Sequence, residues 1–412
     1  MKKLLTVFLL VYSLPCLGME KSGAIQVLAP EDVSLKNLTP VQKAALGPTA
    51  LLTSEALNQE LVRTAAMNCL WQKTGVTFDR GPLVNGVTIS HDGLIAATSS
   101  HDGAAKLWLL SDGQLLGTFD DKIGNVNSVS FSPKELTLAM GSSDGKAAIW
   151  RITYNRFIPT CADHAGSIES IAFSPDGLTF ATGSCDKTAK IWHASDGKLL
   201  STLNGHADFV TSVAFSPDGQ LLATGSQDKT VKIWQTSDGH ALHTLYGHDD
   251  WISSVAFSPD GKILATSSFD GTAKMWRLSD GQLINTLVRD DQWVRSIAFS
   301  RDGKTLVTCH QNKKVNIWRA SNGQLISTSC PHEGAVTCVA FSPDEQSFIT
   351  GSFDGTIKAW QALRLPSLNN LQKALVLKRS QPALNPEERD ALERLFPTLP
   401  LLALEFITQC TR

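Results

Sequence analysis

Most of the chain alternates short apolar runs with polar turns. Four such runs follow one another between residues 210 and 245: Val210–Phe215, Leu221–Thr224, Thr230–Trp234 and Ala241–Leu245. Turn-forming sequences separate them, including Ser-Pro-Asp-Gly at 216–219 and Ser-Asp-Gly at 237–239, which are typical of connections between antiparallel strands. The pattern therefore predicts a four-stranded antiparallel sheet. A lone sheet of this kind leaves its faces bare, so neighbouring sheets must pack on it.

The same unit recurs at a fixed length along the chain. Tryptophan stands every 42 residues, at positions 108, 150, 192, 234, 276, 318 and 360. A constant period of this length is the signature of a repeat architecture. The sequence therefore predicts seven equivalent four-stranded units.

Three features of the unit resemble WD40 repeats. These are the Gly205-His206 start, the Asp six residues before all of the repeat Trp residues except Trp318, and a third strand that ends in Lys-Ile-Trp at 190–192 and 232–234. The Asp that usually follows the Trp is absent, and the residues there are Leu109, Arg151, His193, Gln235, Arg277, Arg319 and Gln361. The resemblance implies an all-β fold, a seven-bladed WD40 β-propeller with short α-helical N- and C-terminal extensions.

Closure of the ring needs a fourth strand for the last repeat, which ends near Trp360. We expect Trp71–Phe78, which stands at the fourth-strand position ahead of the first repeat, to pair beside Thr356–Trp360. Ala362–Leu365 is the competing segment.

Four regions are expected along the chain: a signal peptide at 1–18, a helical extension at 19–70, the propeller at 71–362 and a second helical extension at 363–412. Lys2 and Lys3, the apolar run Leu4–Leu14 and the break before Gly18 predict secretion, to the periplasm or out of the cell. Lipidation of Cys16 is the alternative. No later run is long enough to span a membrane.

The two extensions carry amphipathic patterns. Thr53-Ser54 precedes a predicted helix that ends near Leu70, and Ser367 precedes one at Leu368–Lys378. We expect these helices to pack on the side or bottom of the propeller. Alternatively, the apolar stretch Leu399–Ile407 docks a partner or a membrane surface.

Four repeats contain a His, a Thr and an Asp at 28, 10 and 6 residues before the Trp. The complete sets are His164/Thr182/Asp186/Trp192, His206/Thr224/Asp228/Trp234, His248/Thr266/Asp270/Trp276 and His332/Thr350/Asp354/Trp360. A hydroxyl, an imidazole and a carboxylate resemble a hydrolase triad, but a nucleophile is needed only once. The family resemblance implies instead a buried hydrogen-bond chain from Asp through His and Thr to the indole.

The other three repeats depart from this set. The departing residues are Arg80 in the first, Lys122 and Met140 in the second, and Asp290 and Asn312 in the sixth. We expect these blades to be held mainly by apolar packing.

Other catalytic and metal motifs are weak. Gly141–Gly145 matches the G-x-S-x-G pattern, but it stands between two predicted strands and opens no helix. The pair His240 and His243 has no third ligand in sight. We therefore expect no catalytic residue, no metal and no cofactor.

The net charge of the chain argues against a nucleic-acid partner. The chain has 37 Lys and Arg against 39 Asp and Glu, a net charge of -2. It lacks the basic excess typical of nucleic-acid binding. We expect a monomer that binds protein or peptide, with no nucleic-acid partner and no integral membrane span.

The remaining aromatic residues stand at equivalent places. Phe209, Trp251 and Trp293 are 42 residues apart, just before the first strand of their repeats. The resemblance places that position, the residue before each turn Asp and the second residue of the first strand at the rim of the top opening. Candidate partner-binding residues on this top face are Phe209, Trp251, Trp293, Phe269, Phe353, Arg295, Glu169 and His101.

Clustered exposed aromatics mark binding surfaces, so we expect a non-enzymatic scaffold that binds a peptide or protein partner there. Some of the rings could instead fold inward and cap the channel. The alternatives are an exported, hydrolase-like propeller enzyme with a site in the central channel, and an adaptor that links two partners through its terminal helices and its propeller.

Overall fold

The structure is a computed structural model that describes residues 71–78, 83–119, 125–152, 156–159, 164–289, 292–343 and 347–362. The predicted signal peptide at 1–18 and the predicted helical extensions at 19–70 and 363–412 lie outside the described residues. Within the described ranges, no helix is long and apolar enough to cross a membrane.

The described residues form 28 strands in seven four-stranded antiparallel sheets, the blades. The first blade has β2 (Val84–Ile89), β3 (Ile95–Ser100), β4 (Ala105–Leu109) and β5 (Leu115–Phe119). The second has β6 (Val126–Phe131), β7 (Thr137–Ser142), β8 (Ala147–Arg151) and β9 (Arg156–Pro159). The third has β10 (Ile168–Phe173), β11 (Thr179–Ser184), β12 (Ala189–His193) and β13 (Leu199–Leu203).

The remaining blades follow the same order. The fourth has β14 (Val210–Phe215), β15 (Leu221–Ser226), β16 (Val231–Gln235) and β17 (Ala241–Leu245). The fifth has β18 (Ile252–Phe257), β19 (Ile263–Ser268), β20 (Thr272–Arg277) and β21 (Leu283–Arg289). The sixth has β22 (Val294–Phe299), β23 (Thr305–His310), β24 (Val315–Arg319) and β25 (Gln324–Ser329). The seventh has β26 (Val336–Phe341), β27 (Ser347–Ser352), β28 (Ile357–Ala362) and, from the other end, β1 (Trp71–Phe78).

The first strands of the seven blades form a closed inner ring. Each packs against the first strand of the preceding and the following blade, and β26 of the seventh blade packs against β2 of the first. We call β2, β6, β10, β14, β18, β22 and β26 the inner strands. The fold is therefore the seven-bladed propeller that the sequence predicts.

The ring closes through strands from opposite ends of the repeat region. β1 pairs antiparallel with β28, with Trp71 opposite Ala362 and Phe78 opposite Ile357. This is the closure that the sequence predicts. Ala362, which begins the competing segment, is itself the last residue of β28.

Among the described residues, the core consists of seven apolar clusters, one between each pair of consecutive blades. Between the third and fourth blades, Ile191 and Leu203 of one pack against Val213, Leu222 and Trp234 of the other. A buried side chain of this size contributes about 1.5–3 kcal/mol to folding. A corresponding cluster joins the first blade to the seventh, so the hydrophobic core continues around the whole ring.

Small residues on the second strands let the blades approach closely. A Cβ added at Gly225 would lie only 2.5 Å from Cγ2 of Ile252 on the next inner strand. The turn between β14 and β15 is held by Ser216, whose Oγ donates to Asp218 (2.5 Å) and accepts from the Leu221 amide (2.9 Å). Gly219 completes the turn at φ 72°.

Candidate interaction surface at the channel mouth

The third blade shows the hydrogen-bond chain that the resemblance to WD40 repeats implies. The Trp192 Nε1–H donates to Thr182 Oγ1 (2.8 Å), which lies 2.7 Å from His164 Nε2. His164 Nδ1 lies 2.7 Å from Asp186 Oδ2. The ionised Asp186 carboxylate can only accept, so Nδ1 of His164 carries the proton that points to it, and in this neutral tautomer Nε2 accepts from the Thr182 hydroxyl.

The same chain occurs in the fourth, fifth and seventh blades. The indole Nε1–H donates to the Thr hydroxyl in the pairs Trp234–Thr224 (2.8 Å), Trp276–Thr266 (2.8 Å) and Trp360–Thr350 (3.0 Å). That hydroxyl lies close to the His Nε2 in the pairs Thr224–His206 (2.7 Å), Thr266–His248 (2.8 Å) and Thr350–His332 (2.9 Å). The His Nδ1 lies close to the carboxylate in the pairs His206–Asp228 (2.8 Å), His248–Asp270 (2.8 Å) and His332–Asp354 (3.1 Å). We call these four sets the tetrads.

Electrostatics keep the tetrad carboxylates ionised. Burial alone would raise the pKa of Asp228, but hydrogen bonds from His206 and Thr230 outweigh it and lower the pKa below the usual range. In the seventh blade the pKa of Asp354 is lowered to about 2, where bonds from Thr356 and the Glu333 amide also overcome the effect of burial. Each carboxylate is thus a fixed anion that accepts several donors.

The tetrads are arranged for structure rather than for chemistry on a substrate. All four hydroxyls are fully buried, those of Thr182, Thr224, Thr266 and Thr350. The four indoles are buried as well, those of Trp192, Trp234, Trp276 and Trp360. Each hydroxyl lies between the indole and the imidazole and is closed off from solvent, so it is not presented to an incoming substrate. Buried networks satisfied in this way rigidify a fold.

Two of the three blades without a complete tetrad differ from each other. The first keeps part of the hydrogen-bond network, and the second replaces it with apolar packing. In the first blade, Trp108 Nε1 donates to Thr98 Oγ1 (2.9 Å), whereas Arg80 lies outside the described residues. In the second, Met140 replaces the Thr and is buried among Val129 and Trp150. Lys122 also lies outside the described residues.

The sixth blade adds a polar network to the two apolar clusters in which it takes part. Trp318 Nε1 donates to Thr308 Oγ1 (2.9 Å), and Thr308 Oγ1 lies 2.8 Å from Nε2 of the buried His310. Asn316 lies 3.2 Å from the same nitrogen and accepts from Thr328 (2.8 Å). The sequence signal for this substitute imidazole is that the other six repeats carry serine at its position: Ser100, Ser142, Ser184, Ser226, Ser268 and Ser352.

Aromatic residues stand where three consecutive inner strands begin, an edge that we call the mouth. Phe209, Trp251 and Trp293 precede β14, β18 and β22 and are 36%, 42% and 43% exposed. The Trp251 carbonyl accepts from the Phe269 amide (2.9 Å), so the inner-strand start and the turn between the second and third strands lie side by side.

Four aromatic residues at the mouth and the arginine Arg295 form a connected group. Phe269 stacks on Trp293 with ring centroids 4.4 Å apart and an angle of 8°, and it lies 5.9 Å from Trp251. The Arg295 guanidinium carbon lies 5.6 Å from both the Phe269 and Trp293 rings and 4.6 Å from the Phe353 ring. We call Trp251, Phe269, Trp293, Phe353 and Arg295 the mouth cluster.

The other three predicted mouth residues lie on different blades. Phe209 is exposed on the fourth blade, and His101 is exposed on the first, where its amide donates to the Leu83 carbonyl (2.8 Å). Glu169 on the third blade accepts from Ser167 Oγ (2.7 Å) and Cys185 Sγ (3.3 Å). Among the described residues, none of the three makes a ring or cation–π contact with the mouth cluster.

Two sequence motifs fall on ordinary blade structure. Gly141–Gly145 spans the end of β7 and the turn to β8, not the strand-to-helix turn that a nucleophile elbow requires. In the part of the chain that the structure describes, including His240 and His243, no group of three or more His, Cys, Asp or Glu side chains is placed to hold a metal ion.

Comparison with known families covers most of the ring. The family model described as "WD domain, G-beta repeat" matches residues 73–108, 113–151 and 323–361. The model described as "IFT122 first beta-propeller" matches residues 167–319. A search of curated proteins finds no match to the chain. The matches, the constant repeat and the seven blades show that the chain belongs to the WD40-repeat β-propeller family.

Proposed function

We propose that the protein is a non-enzymatic scaffold that binds a peptide or protein partner at the mouth of the propeller. WD40 propellers typically act as protein-interaction scaffolds. The observation that carries the proposal is the mouth cluster, in which Trp251 and Trp293 stay more than two-fifths exposed although both are large and apolar.

The geometry of the cluster favours binding. The Phe269–Trp293 stack holds both rings in place, so little conformational entropy remains to be lost when a partner packs on them. Removal of exposed aromatic surface from water then contributes directly to affinity. Aromatic and arginine side chains are also the types that dominate binding energy at interfaces.

The tetrads support the non-enzymatic half of the proposal. The residues that resemble a triad are buried, recur in four blades and use their polar atoms on one another. We also propose export through the sequence at 1–18, which would place binding in the periplasm or outside the cell.

The test begins with a peptide selected by the full chain. Short random peptides displayed on phage are panned against the immobilised protein, and the dissociation constant of an enriched peptide is measured by fluorescence anisotropy. We expect Trp293→Ala to weaken binding at least about tenfold, the usual effect of removing an aromatic anchor. The matched control is Tyr246→Ala, which removes a 72% exposed ring outside the mouth cluster and should leave the affinity unchanged.

Thermal unfolding of both variants shows whether they remain folded. Failure to enrich any peptide over a blank surface would contradict the proposal. Equal dissociation constants for wild type, Trp293→Ala and Tyr246→Ala would contradict it as well.

A further inference from the structure

Each inner strand contains a β-bulge at its second residue. Pairing with the second strand of the blade shifts register there in all seven blades. The residues at this position are Asn85, Asn127, Glu169, Thr211, Ser253, Arg295 and Thr337. Bulges redirect a side chain out of the regular sheet pattern, so this position is set apart from the rest of the inner strand.

In four blades the bulge residue fastens its blade to the next one. A neutral side chain donates there to a carbonyl at the start of the following inner strand. The four bonds are Asn127 to Ile168 (3.2 Å), Thr211 to Ile252 (2.5 Å), Ser253 to Val294 (2.6 Å) and Thr337 to Val84 (2.7 Å). The ordinary role of the position is therefore structural.

Arg295 departs from this role. Its Nε donates to Gln311 Oε1 of its own blade, and its guanidinium faces three aromatic rings. In the described part of the chain, no carboxylate forms an ion pair with Arg295, and its side chain is half-buried. The bulge thus holds a cation at the mouth with most of its donors unused.

The guanidinium of Arg295 is suited to bind a carboxylate. A guanidinium carries five N–H donors in a planar fork that matches the two oxygens of a carboxylate. Aromatic faces hold the plane in place and leave its edge available. A carboxylate that meets this edge away from bulk water forms a stronger bond than one at an open surface.

We propose that Arg295 binds the side-chain carboxylate of an Asp or Glu in the peptide partner, while an apolar residue beside that acid packs on Trp293 and Trp251. This rests on the proposed function, since it requires a peptide at the mouth.

Charge around the mouth favours an acidic peptide over a nucleic acid. Arg295 is the one cation among the seven bulge residues, and Glu169 occupies the same position on the third blade. Asp208 and Asp250 directly precede Phe209 and Trp251. A polyanion would meet these acids and gain only one counter-charge, whereas a single carboxylate needs only Arg295.

The experiment is a double-mutant cycle on the full chain. An enriched acidic peptide with an amidated C-terminus is compared with its Asp→Asn or Glu→Gln counterpart, against wild type and Arg295→Met. We expect Arg295→Met to weaken the acidic peptide at least about tenfold and to leave the amide counterpart nearly unchanged. Arg295→Lys, which keeps the charge but loses the fork, should fall between the two.

Two controls accompany the cycle. Arg277→Met removes an exposed arginine at the end of β20, outside the mouth cluster, and should leave binding of the acidic peptide unchanged. Raising NaCl from about 50 to about 500 mM should weaken wild-type binding of the acidic peptide more than binding by Arg295→Met.

The outcomes separate this inference from the function on which it rests. Two results overturn the carboxylate assignment alone. In one, the enriched peptides need Trp293 but contain no acidic residue. In the other, replacing the acid of the peptide by its amide weakens binding equally to wild type and to Arg295→Met. It is also overturned if a single-stranded oligonucleotide competes with the peptide and Arg295→Met abolishes binding of that oligonucleotide. Failure to enrich any peptide that needs Trp293 contradicts both.

Discussion

At the scale of single residues, the tetrads show how strand register brings distant positions together. Trp234 pairs with Leu222, which is two residues from Thr224. Side chains two apart in a strand share a face of the sheet, so the indole reaches the Thr hydroxyl at 2.8 Å. His206 joins the hydroxyl from the loop before the inner strand (2.7 Å). One buried oxygen therefore serves two partners.

This arrangement predicts an unequal cost of the same substitution in two blades. Thr224→Val leaves the Trp234 indole and the His206 ring without their partner, and we expect a loss of about 1–3 kcal/mol in the free energy of unfolding. Thr98→Val removes the acceptor of Trp108 from a blade without a tetrad histidine and should cost less. Urea denaturation measures both, and a cost at Thr98 equal to that at Thr224 would contradict the account of the tetrad.

The tetrads could be expected from the sequence because their residues recur at fixed spacing and the resemblance to WD40 repeats implies how they connect. The sequence does not predict the contacts of Arg295, since these depend on a bulge and on which way a long side chain turns among neighbouring rings. It also misses His310, whose position is serine in every other repeat. A constant repeat predicts what its units share. It does not predict the contacts of a residue that differs from those at the equivalent positions of the other repeats.

At the scale of elements, the short strand β1 closes the whole ring. It is the outer strand of the seventh blade, although it comes from the opposite end of the repeat region. Without it, β28 would expose a row of unpaired backbone groups, a template for aggregation. Closure therefore depends on one strand supplied from far away in the sequence.

Deleting residues 71–78 should lower the melting temperature and promote aggregation. A synthetic peptide of the same sequence, added in trans, should partly restore the melting temperature because it can pair with β28. A scrambled peptide is the control. Unchanged stability after the deletion, or equal rescue by both peptides, would contradict closure by β1.

Strand positions follow from the sequence closely where alternation and turns agree. The runs Val210–Phe215 and Ala241–Leu245 are the observed β14 and β17. The second run extends two residues beyond its prediction, to Ser226, since the strand continues until the following turn begins. The seven bulges carry no such signal, because an extra residue in one strand leaves the hydrophobic alternation around it nearly intact.

At the scale of the whole molecule, the contacts that stabilise the fold and the proposed binding surface occupy different parts of the ring. Apolar clusters between blades and the buried tetrads hold the propeller together. The mouth cluster lies at the edge where the inner strands begin and leaves large aromatic surface exposed. Damage to one part should therefore leave the property of the other intact.

The most direct test compares Thr224→Val with the double variant Trp251→Ala/Trp293→Ala. The melting temperature of each is measured together with its dissociation constant for a selected peptide at a temperature where both are folded. We predict that Thr224→Val melts lower but binds like wild type, whereas the double variant melts near wild type and binds at least about tenfold more weakly. Loss of binding in folded Thr224→Val, or full affinity in the double variant, would contradict the account.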